Sequence, residues 1–266
     1  MVAARRLLAR KGRLAAGALL VEGPHAIESA LAAGAAVREL FIRGDAAGEF
    51  ASLVDTAVAQ GATARLADPS VVDRLSDTVT SQGAVAVVDT PAAALDDVLS
   101  HDPRLVCVLT AVSDPGNVGT VVRSADAAGA AGVVIGPGSA DVWSGKAVRA
   151  SAGSVFHLPV VTGVATADAV EALRSAGLTL LAASADGADD LDDLADAGRL
   201  ARPTAWLFGH EAHGLPDPVA EAADRRVRIP IHGRAESLNL AAAAAVCLYA
   251  SARAQRAAGA GAGTSH

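Results

Sequence analysis

Leu105-Val106-Cys107-Val108-Leu109-Thr110-Ala111-Val112-Ser113-Asp114-Pro115-Gly116-Asn117-Val118-Gly119-Thr120-Val121-Val122-Arg123 decides the fold class. An unbroken apolar run, Leu105 to Ala111, reads as a strand buried on both faces. A polar turn follows, with Asn117 at the position of a helix N-cap. From Val118 to Ala130 the pattern changes period. Val118, Val121, Val122 and Ala125 form an i, i+3, i+4, i+7 stripe, which predicts a helix packed on that strand. Arg123 falls off the stripe and is free to face a site. Strand, polar turn and helix in this order make an α/β unit, whose ligands sit beyond the carboxyl ends of parallel strands.

The same alternation continues downstream. Strands are expected at Gly132–Ile135, Leu158–Val161, Thr179–Ala183, Ala205–Phe208 and Arg226–Ile229. Helices are expected at Lys146–Ala152, at Ala167–Ala176 with Thr166 as its cap, and at Ser237–Arg256. Upstream lies a smaller α/β unit. Its strands are Ala18–Val21, Val37–Arg43, Thr63–Leu66 and Gly83–Asp89, and its helices begin near Pro24, Phe50 and Asp68. The expected organisation is therefore a first domain at 1–90, a proline-bounded linker at 91–103, a mainly parallel α/β domain at 104–257, and a flexible Gly/Ala/Ser/Thr tail at 258–266.

Composition sets the outer limits. The chain has 266 residues, 52% of them hydrophobic and 19% charged, which is enough apolar material for two cores and excludes disorder over most of its length. Only 3% are aromatic, so the cores rest on Val, Leu, Ile and Ala. Cys107 and Cys247 both sit in apolar runs and are expected as buried free thiols of a reducing compartment. No apolar stretch is long enough for a membrane span, and the N-terminal charges are not followed by a signal-peptide core, so a cytoplasmic protein is expected. The net charge is −7, yet Arg5, Arg6, Arg10, Lys11 and Arg13 lie together without an acid among them. Such a cluster is either a solvated helix face or an arm that grips phosphates. The aspartates Asp186, Asp189, Asp190, Asp192, Asp193 and Asp196 lack calcium-loop spacing and read as a solvated surface.

Two further segments carry polar groups at strand ends. Trp206-Leu207-Phe208-Gly209-His210-Glu211-Ala212-His213-Gly214 sets Glu211 between two glycines that permit close backbone approach. Its two histidines do not form the HExxH pattern, and no metal is expected. Ile229-Pro230-Ile231-His232-Gly233-Arg234-Ala235-Glu236-Ser237-Leu238-Asn239 leads into the last helix, with Ser237 as the natural cap. Neither the GxGxxG fingerprint nor the P-loop is present, which disfavours a nucleotide-dependent dehydrogenase or NTPase.

Taken in order, the three segments resemble the SpoU (TrmH) family of RNA ribose 2′-O-methyltransferases, in the SPOUT superfamily. They match its Asp-Pro-x-Asn-x-Gly followed by Arg, its Gly-x-Glu-x-x-Gly, and its Ile-Pro-x-x-Gly-x-x-x-Ser-Leu-Asn. Val21-Glu22-Gly23-Pro24-His25 and Ser81-Gln82-Gly83-Ala84-Val85 resemble the family's substrate-binding domain, except that Ser81 stands where members often have His. The resemblance implies a C-terminal trefoil knot and S-adenosylmethionine as cofactor. It implies cofactor contacts at Gly209, Ile229 and Leu238, to which the residues themselves add Leu207 as an apolar wall for adenine and Ser184 after the strand Leu180–Ala183, and it implies a catalytic group of Asn117, Arg123, Glu211, Ser237 and Asn239. It implies a homodimer with Arg123 serving a site shared between subunits, either as general base or as an electrostatic clamp on the adjacent phosphate. The expected substrate is RNA bound with help from the basic arm, ribosomal 23S-type RNA before tRNA. A catalytically idle RNA-binding protein is the alternative that the filled motif positions disfavour.

Overall fold

The computed structural model describes residues 2–76 and 81–262, which form two compact units. The first comprises the chain up to Ala92 together with Asp141–His157, and the second comprises Ala93–Ala140 with the chain from Leu158 onward.

In the first unit, β1 (Ala18–Glu22), β2 (Val37–Arg43), β3 (Thr63–Ala67) and β4 (Ala84–Asp89) form a sheet in the order β1-β4-β2-β3. β4 pairs antiparallel with β1 and β2, and β3 runs parallel to β2. Leu7, Leu20, Phe41, Val72, Leu75, Val85 and Val87 make one core layer on it. The basic arm is folded, with helix Arg10–Ala16 ending at Gly17 in the left-handed region. Arg13 lies inside, 7% exposed. Its guanidinium donates to Leu7 O (2.8 Å), to Leu8 O (2.9 Å) and to Asp141 Oδ2 (2.6 Å). Arg13 is therefore a structural ion pair and leaves the expected RNA-contacting set, whereas Arg5, Arg6, Arg10 and Lys11 are exposed. Periodicity places the helix Lys146–Ala152 in the downstream α/β run, but the structure returns the whole segment Asp141–His157 to the first unit. Its helix Gly145–Ser151 belongs here, where Arg149 meets the buried Glu22 at 3.3 Å.

The second unit is built on a seven-stranded sheet: β5 (Leu105–Leu109), β6 (Gly132–Ile135), β7 (Val160–Thr162), β8 (Thr179–Ala183), β9 (Asp189–Asp190), β10 (Thr204–Phe208) and β11 (Arg225–Arg228). The order is β7-β6-β5-β10-β8-β11-β9, and every pairing is parallel. Side chains alternate across it. Val106, Val108, Ala205 and Leu207 join the cluster under helix Thr166–Ser175. From the opposite face Trp206 donates its indole N–H to Ser251 Oγ at 2.9 Å, which seats helix Leu240–Ala262. Cys107 and Cys247 are free and buried, and burial pushes both thiols up.

Several local expectations shift. Asp114, not Asn117, caps helix Pro115–Ala128, accepting from Asn117 N at 3.0 Å, because Pro115 fits the first helical turn. Thr166 lies within its helix and bonds Thr110 instead (Oγ1 to Oγ1, 3.1 Å), while Ala165 holds the cap position. The last helix begins at Leu240, later than expected, and continues to Ala262, through residues read as tail. Its run Leu240–Tyr249 is apolar on nearly every face, which predicts burial all round, yet Ala242, Val246 and Tyr249 are exposed on one stripe. The aspartates are no mere solvated surface. Asp186 pairs with Arg226, Asp189 with Arg225 and Asp190 with Arg228, while helix Leu191–Asp196 holds the rest.

Candidate functional site

Three turns converge at the carboxyl ends of β5, β10 and β11. After β10, the chain closes a tight hairpin, with His210 N donating to Gly214 O and Gly214 N to His210 O, both at 2.8 Å. A Cβ on Gly209 would fall 2.2 Å from Gly214 O, so this glycine is required by the hairpin's own backbone. The hairpin holds Glu211 over the turn that follows β5. There Glu211 Oε2 accepts from Ser113 Oγ (3.1 Å) and Oε1 from Asn117 Nδ2 (3.0 Å), with the Ser113 and Asp114 amides at 3.4 Å.

Asn117 Oδ1 in turn accepts from Asn239 Nδ2 at 3.2 Å. Asn239 Oδ1 accepts from Ala241 N (2.9 Å) and Ala242 N (3.4 Å), so Asn239, not Ser237, caps the last helix. A helix terminus, two amides and a carboxylate thus form a single-file relay in which each group's donor or acceptor role is fixed by the next. Burial alone raises the pKa of Glu211, but the hydrogen bonds from Asn117, the hairpin backbone and Ser113 outweigh it and bring it down to about 2. Glu211 is an anion at neutral pH, and too weak a base to take a proton there.

Beside the relay opens a cleft of about 600 Å³, large enough for a nucleoside-sized ligand. Of the residues singled out in the sequence, Ser184, Gly209, Glu211, Ile229, Ser237, Leu238 and Asn239 line it, and Asn117 stands behind them in the relay. Leu207 does not line it, because it is fully buried in the core beneath the other face of the sheet, and Phe208 borders the cleft instead. Ile231, Leu240 and Glu236 also line it and were not singled out, although Ile231 and Glu236 stand within the third segment. The Ser184 hydroxyl donates to Asp186, which Arg226 holds at 2.8 Å. Ser184 and then Arg226 keep the Asp186 carboxyl below the usual range. Gly187 lies flat on β11, where a Cβ would sit 2.6 Å from Arg228 N, so the 184–190 loop is laid against that strand.

The walls suit S-adenosylmethionine. Ile229, Ile231 and Leu238 offer apolar surface for a base, and the turns offer polar backbone and hydroxyl groups at the rim. Arg123 is not among the lining residues. It stands on the exposed face of helix Pro115–Ala128, with no hydrogen bond or ion pair among the described residues. His210 and His213 approach each other (Nδ1 to Nδ1, 3.3 Å), but among the described residues no three His, Cys, Asp or Glu side chains gather as a metal site.

Residues 104–249 match the model of the SpoU rRNA Methylase family. The chain belongs to that family. Residues 20–94 match the model described as RNA 2′-O ribose methyltransferase substrate binding. Among curated relatives of this SpoU chain, a 23S rRNA (guanosine(2553)-2′-O)-methyltransferase, RlmP of Bacillus subtilis, is 30% identical over 239 residues, covering 90% of each chain. Among solved structures, the SpoU methyltransferase AviRb from Streptomyces viridochromogenes, in complex with AdoMet, aligns with a TM-score of 0.82 at 34% identity, covering 96% of this chain and 97% of that one. An AdoMet-bound rRNA methyltransferase from Sinorhizobium meliloti aligns with a TM-score of 0.81 at 29% identity, over 95% and 93% of the two chains.

Proposed function

We propose that this chain transfers the methyl group of S-adenosylmethionine to a ribose 2′-hydroxyl of RNA, with 23S-type ribosomal RNA as substrate. The observation that carries the reading is the Asn239–Asn117–Glu211 relay at the rim of the cleft, because it joins all three family segments at one point. Bound in the cleft, S-adenosylmethionine supplies an electrophilic methyl group on a sulfonium. The chain's own groups then have two tasks, to hold the ribose oxygen in line and to ease the loss of its proton. Glu211, anionic throughout the neutral range, orients Asn117 and the Ser113 turn and does not take the proton. Asn117, Ser237 and Asn239 present polar tips toward the ribose. A guanidinium does not readily give up its proton, so Arg123 acts as a clamp on the adjacent phosphate and lowers the hydroxyl's pKa electrostatically.

The free position of Arg123, away from its own chain's cleft, supports a homodimer in which it serves the partner's site. The exposed Ala242, Val246 and Tyr249 stripe offers that partner an apolar face. Family membership supports a trefoil knot in the C-terminal part. So does the strand order, in which β10 inserts between β5 and β8 after β9 has been laid at the sheet's edge. In the first unit, exposed Arg5, Arg6, Arg10 and Lys11 reach RNA phosphates. We place the enzyme in the cytoplasm, where rRNA is modified. Among the described residues no helix is long and apolar enough to cross a membrane.

The test is to map ribose methylation in rRNA and tRNA from cells with and without the gene, alongside transfer by the purified protein. A missing 23S 2′-O-methyl group that the protein restores supports the reading. A missing tRNA mark redirects the substrate, and a methylated 2′-deoxy target would move the chemistry to a base.

A further inference from the structure

The cleft carries an uneven charge. Its lining includes three carboxylates, Asp186, Glu211 and Glu236, and two histidines, His210 and His213. Among the described residues no lysine or arginine lines it. The carboxylates differ in how they are held. Asp186 is matched by Arg226, which donates to both of its oxygens at 2.8 and 2.9 Å. The neighbouring arginines of β11 are engaged as well, Arg225 with Asp189 at 2.9 Å and Arg228 with Asp190 at 3.2 Å. Glu211 is held by neutral donors, and His210 Nδ1, 4.0 Å from its Oε2, accepts from Ala212 N and so brings it no proton, which leaves the charge fixed but not cancelled. Glu236 is exposed and has no hydrogen bond or ion pair among the described residues. The cleft therefore presents two uncompensated negative charges, one locked in the relay and one free on the 230–239 segment.

A groove of this charge repels RNA phosphates and favours a cation. In methyl transfer the carbon–sulfur bond electrons stay on sulfur, the methyl carbon bonds to the ribose oxygen, and that oxygen's proton passes to solvent water. The donor S-adenosylmethionine therefore carries one more positive charge than S-adenosylhomocysteine, its neutral thioether product, while the two share nearly every other contact. A free carboxylate lining the cleft interacts with the difference between them.

We propose that Glu236 is a specificity-determining residue of the cofactor cleft, favouring the cationic methyl donor over the neutral spent product. This rests on the cofactor reading above. It gives the cleft a way to release product and refill, without which a pocket built on adenine and ribose contacts alone would hold both forms about equally.

Calorimetry on the full chain with three probes tests this: S-adenosylmethionine, S-adenosylhomocysteine, and sinefungin, whose amine is protonated at neutral pH in place of the methylsulfonium. The wild-type protein should bind the two cationic probes more tightly than the thioether, and added salt should narrow the gap, since Glu236 is open to solvent. Glu236→Gln should weaken both cationic probes by roughly three- to tenfold while moving the thioether less than about twofold, the size expected for one partly screened charge at contact range. Glu236→Asp, which keeps the charge, should keep the preference. The proposal is overturned if Glu236→Gln leaves the donor-to-product ratio unchanged, or if it weakens all three probes equally, as a merely structural loop residue would. If the wild-type protein binds none of the three, the cofactor reading falls and takes this proposal with it.

Discussion

Asn239 donates its side-chain amide to Asn117 across 3.2 Å, joining the start of the last helix to the first turn of a helix 122 residues earlier. The bond is asymmetric in what depends on it. Asn239 also caps its own helix through Oδ1, so removing the residue deletes a cap and a relay link together. Asn239→Ala should therefore lower both stability, by about 1 kcal/mol for the cap, and methyl transfer. Asn239→Asp retains the capping oxygen but has no amide to donate. It should melt close to wild type and still lose most of its transfer activity. Thermal melts paired with single-turnover transfer separate the two effects. An active Asn239→Asp variant would show that the link to Asn117 is not needed for chemistry.

The Glu211 carboxyl makes a prediction about acid. Its pKa in the folded chain is about 2, below the usual carboxylate range, so its contribution is of the depressed kind. The stability it confers is present above the unfolded value, about 4, and is lost as the pH falls from there toward 2. Glu211→Gln removes that dependence. Denaturant midpoints taken from pH 6 downward should fall less steeply for Glu211→Gln than for wild type. Parallel curves would mean that Asn117 and Ser113 do not stabilise the anion in solution.

Arg13 and its neighbours in the basic arm should part company. Arg13→Ala leaves Asp141 with a partly buried, unanswered charge, and should destabilise the first unit by about 3 kcal/mol. Neutralising Arg5, Arg6, Arg10 and Lys11 should leave the melting temperature nearly unchanged. It should instead weaken RNA binding and flatten its salt dependence, by up to about one unit of slope per lost phosphate contact. Binding isotherms across salt concentrations, with melts of both variants, check the division. If the four-residue variant keeps the wild-type slope, the arm is a solvated face.

How much of this was legible in the sequence follows from what periodicity reports. β2, β6 and β8 fall where the apolar runs placed them, because each is bounded by glycine, proline or a helix cap. The three polar turns are visible as strand ends, and Asn117, Glu211 and Asn239 from them do meet, whereas Arg123 stands apart. Leu207 was misplaced for a physical reason. Thr204–Phe208 is buried on both faces, so Trp206, Leu207 and Phe208 are all apolar and no alternation tells which side faces the cleft. The aspartates at 186–190 looked solvated because the arginines that answer them lie some forty positions on in the chain. Nor could any local pattern show that Asp141–His157 belongs with the first unit, because the residues its helix buries, Ala147, Val148 and Ser151, do not name the core they join.

The last prediction concerns Arg123. It shares its exposed strip of helix Pro115–Ala128 with Thr120 and Ala127, six residues beyond Asn117 and without a partner among the described residues. A residue so placed can serve chemistry only if something is brought to it. Arg123→Ala should abolish transfer while leaving S-adenosylmethionine affinity nearly unchanged, because the guanidinium addresses RNA and not the cofactor cleft. If the arginine completes the partner's site, mixing Arg123→Ala with Asn239→Ala chains should recover part of the activity. One of the two sites in such a mixed dimer then contains both intact residues, whereas each homodimer contains none. The stripe of Ala242, Val246 and Tyr249 supplies an independent handle on the same assembly. Val246→Glu should give monomers by light scattering, and it should lose transfer while retaining cofactor binding. A monomeric wild-type protein at working concentration would remove the dimer altogether. A dimer whose mixed variants recover nothing would return Arg123 to its own chain's site, leaving the assembly intact.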